Sequence, residues 1–432
     1  MKITVIGGGL AGCEAACYLA KRGYDVTIIE MRGVKTTPCH KTDRLAELVC
    51  SNSLKATGDD TASGMLKAEI DRLGGTLLSL ARKAAVPAGG ALAVDREEFS
   101  RLVEEELDRL GVNVVRKEAD SVPGEGITLV ACGPMVSDKM AEYLSEKCGG
   151  GLHFYDAVAP IVSAAGVDTD SAFFAARYDK GEADYLNCPM DKEEYLAFRE
   201  ALLSAEKAVL HDFEKGDVFE GCMPIEALAA RGEDAMRYGP LRPVGLRLPD
   251  GSKPYAVLQL RKENLAGDAY NLVGFQTNLK FSEQKRVFSL IPALKNAEFL
   301  RYGIMHRNTY INAPGCLNAD FSLKSAPDVF VVGQLSGVEG YVESMASGLI
   351  GAINAVRRAE GEKAFIPPPT TICGALCLHL TAATDNYQPM NANFGILPPL
   401  EGGKIKDKKM RKRAYTTRGM HDLENACAAA GL

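Results

Sequence analysis

The residues whose types and spacing are best suited to chemistry begin at position 7. Gly7-Gly8-Gly9-Leu10-Ala11-Gly12 follows a β-branched apolar run, Ile3 to Ile6, and leads into a helical segment; a second apolar run then ends on Glu30. Strand, glycines, helix, strand and terminal acid in that order form a βαβ unit built to hold a dinucleotide. Gly7 permits the tight turn, Gly9 lets the backbone approach a pyrophosphate, and Gly12 lets helix and strand pack closely. Phosphates would sit on the N–H groups at the start of the helix, around Leu10 and Ala11, where the dipole favours negative charge. Glu30 lies 18 residues past Gly12, close to the ~20 expected of a carboxylate that accepts ribose hydroxyls.

Two cysteines occupy positions suited to a reactive thiol. Leu45 to Val49 has a helical apolar pattern, and Cys50-Ser51-Asn52-Ser53 follows it, so Cys50 is expected at a break between elements. Cys222 precedes Pro224-Ile225-Glu226, and proline favours the first helical turn. A helix start lowers a thiol from its ordinary value of ~8.5, while Glu220 and Glu226 oppose that. Burial as a small hydrophobe is the alternative for either. Twelve cysteines in 432 residues are too sparse for a disulfide scaffold. Cys13 and Cys17 read as core, and Cys373 and Cys377 lack the second pair that zinc needs, so no metal is expected.

The elements that must position these groups imply two or three domains. With 46% hydrophobic and 25% charged residues, the chain reads as soluble and globular, and with no ~20-residue apolar run or leader-like segment it is expected in the cytoplasm, off the membrane. Helices are expected over 65–73 and 96–110, and strands over 112–115 and 127–130, the latter ending in Ala131-Cys132-Gly133-Pro134 beside the nucleotide. A separate mixed domain follows, with a helix over 192–207 and strands near Val257 and Tyr270. Nucleotide chemistry then returns in Asp328 to Val332, a strand followed by Gly333-Gln334, Gly340-Tyr341 and a helix rich in small residues. Paired with the first fingerprint, this looks like the second half of a two-part FAD site. The expected fold is α/β: a doubly wound, Rossmann-type FAD-binding domain (1–180 and 325–370) interrupted by an inserted α+β domain (181–324). A C-terminal segment (371–432) carries a basic tail. That tail holds eight Lys and Arg against one Asp between Lys404 and Arg418 in a chain of net charge -6, which suits phosphate contacts or a solvated helix.

The chain resembles the folate- and FAD-dependent tRNA (uracil-5-)-methyltransferases. The matching stretches are GGGLAGCEAA, LAELVCSNSLK, FEGCMPIE, RYGIMHRNTYINAP from Arg301 to Pro314, VVGQLSGVEGYVESMASGL and NFGILPPL. The relatives that modify the wobble uridine share both FAD segments but carry a large C-terminal helical domain, for which this chain has no room. The resemblance implies methyl transfer to the T-loop uridine of tRNA. Methylenetetrahydrofolate supplies the one-carbon unit, reduced flavin carries or reduces it, and NADH or NADPH recharges the flavin. It also implies that Cys50 and Cys222 are the catalytic thiols. His306, in the matched MHRN stretch, is either a structural histidine or a ring that stacks on the pterin of the folate, with Arg307 or Asn308 hydrogen-bonding nearby.

Two thiols make chemical sense for that reaction. Carbon 5 of uracil is a poor nucleophile until a thiolate adds at carbon 6, and the carbon 5 proton must later leave to a second base. Cys222 is assigned the addition because it precedes a helix, and Cys50 the partner role, with the reverse order open. Three other readings remain at this point: a small-molecule flavin oxidoreductase, an RNA-binding flavoprotein without activity, and an S-adenosylmethionine methyltransferase using the same glycine loop.

Overall fold

The computed structural model describes residues 2–37, 39–148, 151–157, 159–179, 182–208, 223–303, 305–382, 387–401 and 405–432, with the backbone alone for 151–157, 179 and 305–307. Its first sheet is six-stranded. At its centre β1 (Lys2–Ile6) pairs in parallel with β2 (Asp25–Glu30) on one side and with Ile127–Val130 on the other. Asn113–Arg116 extends it beyond β2, and Ala326–Val331 lies beyond Ile127–Val130, both parallel. The short strand Ser322–Leu323 closes that edge in antiparallel sense. Covered on both faces, the central strands run as near-continuous β-branched and aliphatic segments, as parallel sheets require.

Between β1 and β2 runs α1 (Leu10–Lys21), which is buried from Leu10 to Leu19. It lies against the long helix Tyr341–Ala359, itself buried from Val342 to Val356. A Cβ at Gly348 would sit 2.2 Å from the Ala11 carbonyl oxygen, and one at Gly351 would sit 2.5 Å from Val332 Cγ1. Only glycine at these two positions lets the helix reach α1 and the sheet at such short range.

The second sheet is antiparallel, in the order Phe173–Phe174, Tyr185–Met190, Ala256–Lys262, Ala269–Leu272, Ile161–Ser163, Phe299–Arg301. Its strands alternate, so Leu186, Cys188 and Met190 with Ala256, Leu258 and Leu260 enter a core of their own. Helix Lys192–Ser204, opened by an Asp191–Glu194 capping box, and helix Phe281–Phe288 cover that face with Tyr195, Phe198 and Phe288. This second core draws on residues from Val162 to Ala297, and the first on residues before and after it.

Helices Ala62–Arg72 and Arg96–Arg109 and the strands over 113–116 and 127–130 stand where the periodicity placed them, within a few residues. The helix expected over Leu45–Val49 does not form. Leu45 and Ala46 make a turn, with Ala46 at φ 52°, and the rest is irregular. Five residues cannot repay a helix nucleus, and their polar groups find tertiary partners instead: Ala46 N–H donates to Gly8 O at 2.8 Å and Leu45 N–H to Glu104 Oε1 at 2.9 Å. The basic tail is helical over Lys408–Ala430 and docks through Gly419, Leu423 and Cys427. Part of its charge is used internally, Arg413 pairing with Asp59 at 3.0 Å and Arg418 donating to the carbonyls of Pro398 and Pro399. Cys373 and Cys377 are buried on helix Ile372–His379, whose first N–H groups donate to the Glu69 carboxylate.

Overpacking of a tight contact costs about 1–3 kcal/mol. Gly348→Ala should therefore lower the thermal midpoint by several degrees. Gly124→Ala, where a Cβ would meet nothing within 4 Å, should leave it unchanged. Equal midpoints for the two variants would contradict the packing described.

Candidate active site

The two glycine segments, far apart in sequence, line one crevice. Its lining includes Gly7, Gly9, Leu10 and Ala11 from the first segment, Gly333 and Gln334 from the second, Glu30 at the end of β2 with Arg32 just after it, and the stretch from Ala131 to Met135; Gly333 stands beside Ala11, where a Cβ would be 3.1 Å from the alanine methyl. The glycines differ in what they do. Gly7 has φ +106° and lies so close to the Ala131 backbone that a Cβ would be 2.4 Å from its oxygen. A Cβ on Gly12 would be 1.9 Å from Gly7 O, whereas Gly9 has nothing within 4 Å and faces open space. Gly9 is thus the place where a ligand can touch backbone. Gly8, Gly12 and Gly340 do not line the crevice. Gly8 holds Glu30, Gly12 backs the turn, and Gly340, at φ +119°, would crowd Glu343 with any Cβ.

Glu30 is 5% exposed. Its carboxylate accepts Gly8 N–H at 2.6 Å, Arg32 N–H at 2.9 Å and Arg32 Nε–H at 2.9 Å. Burial pushes its pKa up, but the Arg32 guanidinium and these two backbone N–H groups together outweigh burial and hold the carboxyl below its ordinary value. Arg32 also donates to Arg44 O at 2.6 Å and Gly8 O at 3.2 Å, tying the acid, the glycine turn and the 31–47 loop together. Sequence reasoning missed Arg32; a cation two residues past a nucleotide-binding acid was the available signal.

These residues fit FAD. The open backbone at Gly9, the buried acid at the end of β2 and the second glycine turn beside Ala11 supply the backbone and carboxylate partners that an extended dinucleotide needs.

Cys50 stands in a bend next to the crevice wall, which includes Val49 and Tyr341. The N–H groups of Cys50 and Ser51 donate to Tyr341 Oη at 2.7 and 3.2 Å, so the first residue of the long helix holds the cysteine turn directly. Burial, and then the neighbouring Cys50, keep the Tyr341 phenol protonated well above its ordinary range. Three arginines from separate parts of the chain complete the hold. Arg96 donates to the carbonyls of Leu48 and Cys50 and pairs with Glu263. Arg301 donates to Val49 O at 2.5 Å, and Arg261 to Asn52 Oδ1 at 2.9 Å and Ser51 Oγ at 2.8 Å. Asn52 Nδ2 reaches the carbonyls of Val94, Lys262 and Glu263. Arg261 and Arg301 are buried, which pushes their guanidinium values down, and the positive charge gathered on this turn favours an anion beside it.

Cys222 lies outside the described residues. The helix after it runs Ile225–Ala230 with Pro224 at its cap position, and Glu226 is buried, accepting Thr277 Oγ1 at 2.9 Å and Asn278 N–H at 2.8 Å. Burial pushes Glu226 up past the lowering effect of those bonds. His306 and Arg307 lie in strand Met305–Ile311, opposite Asp156 and Tyr155 of Gly151–Ala157. Among the described residues there is no cluster that could hold a metal ion and no helix long and apolar enough to cross a membrane.

A family model described as "Glucose inhibited division protein A" matches residues 2–363. A curated protein of Streptococcus agalactiae serotype Ia, named methylenetetrahydrofolate--tRNA-(uracil-5-)-methyltransferase TrmFO, is 53% identical over 98% of both chains. Its namesake in Streptococcus suis is 52% identical, again over 98% of both. Among solved structures, Aquifex aeolicus GidA in its form I crystal superposes with a TM-score of 0.71 at 15% identity, over 98% of this chain and 76% of that one. That likeness shows the fold: a GidA-like α/β architecture with a Rossmann-type domain.

Because Glu30 titrates below 4.5 in the folded protein, its stabilising contribution is complete above about pH 4.5 and is lost as the pH falls through the folded value. Arg32→Ala leaves a buried carboxylate without its partner, and burial then raises its pKa. Thermal or denaturant unfolding should show a deficit of about 3–5 kcal/mol at pH 8, shrinking toward pH 5 as Glu30 protonates. The same deficit at both pH values would contradict the pairing.

Proposed function

The chain belongs to the methylenetetrahydrofolate--tRNA-(uracil-5-)-methyltransferase family, within the glucose inhibited division protein A family, and from that membership we propose how its site works. The protein is a FAD-dependent enzyme that methylates carbon 5 of uracil in tRNA with methylenetetrahydrofolate as one-carbon donor. The finer reading is ours: the target is the T-loop uridine, NADH or NADPH is the reductant, and the reaction takes place in the cytoplasm. The observation that carries the site assignment is the hydrogen bonding of the Cys50 turn to Tyr341, the first residue of the helix that follows the second FAD segment.

Cys222 thiolate adds to carbon 6 of the uracil, and the electron pair moves to make carbon 5 nucleophilic. Once carbon 5 has taken the one-carbon unit, Cys50 accepts the proton that carbon 5 still bears, and the carbon 6–sulfur bond breaks to release Cys222. Reduced FAD, when bound, carries the one-carbon unit and supplies hydride. Arg96 holds the carbonyls of Leu48 and Cys50, Arg301 holds that of Val49 between them, and together they keep Cys50 from turning away from the crevice. His306 and Arg307 are assigned to the folate on the family resemblance.

Cys50→Ala and Cys222→Ala should each lower formation of 5-methyluridine at least a hundredfold with flavin content unchanged. Cys50→Ala should also accumulate a covalent protein–tRNA band, since carbon 5 keeps its proton, and Cys222→Ala should give none. The opposite pattern of bands would exchange the two roles, and an active variant of either would remove that cysteine from the mechanism.

A further inference from the structure

The inserted domain carries a groove that the chemistry above does not use. It encloses about 620 Å³ between residues 175–178 and 243–255, and its lining includes Tyr178, Arg237, Arg247, Lys253 and Tyr255 but no Asp or Glu among the described residues. Arg242 reaches its rim, Nη2 lying 3.5 Å from Tyr178 Oη. The acids nearby are already engaged: Asp234 pairs with Arg237, and Asp250 accepts Ser252 N–H at 2.8 Å. Two rings are fixed among these cations. The Arg237 guanidinium lies 3.7 Å over the Tyr255 ring. Tyr178 adopts φ 61°, a conformation a bulky residue rarely takes, and its ring packs on Gly245, where a Cβ would come within 2.8 Å of it. Tyr178 is nonetheless 54% exposed. Strain maintained on a half-exposed ring beside cations is a feature of recognition surfaces.

The groove's place on the sheet ties it to the active site. Tyr255 immediately precedes strand Ala256–Lys262, whose Ala256, Leu258 and Leu260 enter the core. Tyr255 packs edge-on against Tyr195 at the margin of that core, whereas Gln259 and Arg261, alternating with Leu258 and Leu260, lie on the sheet's other face. At the groove's near end Arg177 donates to Gln259 Oε1 at 3.1 Å. Two residues on, Arg261 holds Ser51 and Asn52 next to Cys50. From Tyr255 to Arg261 the strand spans ~20 Å. That is beyond the reach of a uracil or folate bound at Cys50 but matches about six stacked nucleotides.

We propose that this groove holds the phosphate backbone of tRNA about six nucleotides from the uridine at the Cys50 turn, with the exposed Tyr178 ring offering its face to a base and Arg242, Arg247 and Lys253 neutralising phosphates. The inference rests on the tRNA methyltransferase reading. Cations that track the backbone, interleaved with aromatic rings, are the arrangement that binds polynucleotide without reading its sequence.

The test is Arg242→Ala/Arg247→Ala/Lys253→Ala in the full-length flavoprotein, titrated with unmodified tRNA transcript over a range of salt. All three side chains are exposed. Affinity at low salt should weaken at least tenfold, and the slope of log K against log salt should become shallower by about two. kcat at saturating tRNA, flavin content and thermal midpoint should stay unchanged while KM rises. Lys253→Glu, a single charge reversal on an exposed side chain, should weaken binding in the same direction and serves as the deciding variant if the triple one melts early. Wild-type affinity and salt slope in these variants would overturn the groove's role alone. A wild-type protein that neither binds nor methylates tRNA would overturn the enzymatic reading together with it.

Discussion

The contact on which the rest depends is the backbone approach of the Tyr341–Ala359 helix to α1, where Gly348 meets the Ala11 carbonyl. A glycine turn alone gives half a site. Bringing the second turn beside the first requires the two helices to lie closer than side chains allow, and the small residues of the long helix provide that. The same helix begins at Tyr341, so the approach that sets the width of the crevice also sets where Tyr341 Oη stands. The Cys50 and Ser51 N–H groups follow it.

The Leu48–Asn52 turn carries this arrangement into the second sheet. It has no regular structure, and every polar backbone group it buries needs a tertiary partner. Arg96 comes from the first body, Arg261 from the antiparallel sheet and Arg301 from that sheet's last strand. Hydrogen bonds from charged donors are worth about 1.5–3 kcal/mol each, and more is lost when one partner is removed from a buried pair. The turn is therefore stiff despite being irregular, and it holds Cys50 at one position. Its hold on Arg261 also fixes the inserted sheet, and with it the groove beside Tyr255.

Much of this was legible in the residues. The βαβ unit, Glu30 and the second glycine turn follow from local patterns, because turn chemistry and strand periodicity are short-range. The buried faces of Arg96–Arg109 and Lys192–Ser204 are legible for the same reason. Leu45–Val49 misleads: its apolar spacing is helical, but the segment is too short to nucleate, and Gly8 and Glu104, distant in sequence, decide its shape. Arg32, Arg261 and Arg301 could not be assigned from local sequence, since a buried arginine is recognised by the carbonyls and carboxylates it meets, which come from elsewhere in the chain. Arg261 stands at the polar end of an alternating strand and Arg301 opens a matched segment, yet neither position says that both converge on one cysteine turn.

The central claim is that this crevice draws its one-carbon unit from folate and delivers it to tRNA. The most direct measurement uses purified protein, unmodified tRNA transcript and NADPH, with the carbon label placed in methylenetetrahydrofolate in one reaction and in S-adenosylmethionine in a parallel one. After digestion, labelled 5-methyluridine should arise from the folate alone. Label arriving from S-adenosylmethionine, or no product from either donor while flavin is bound and reducible, would contradict it.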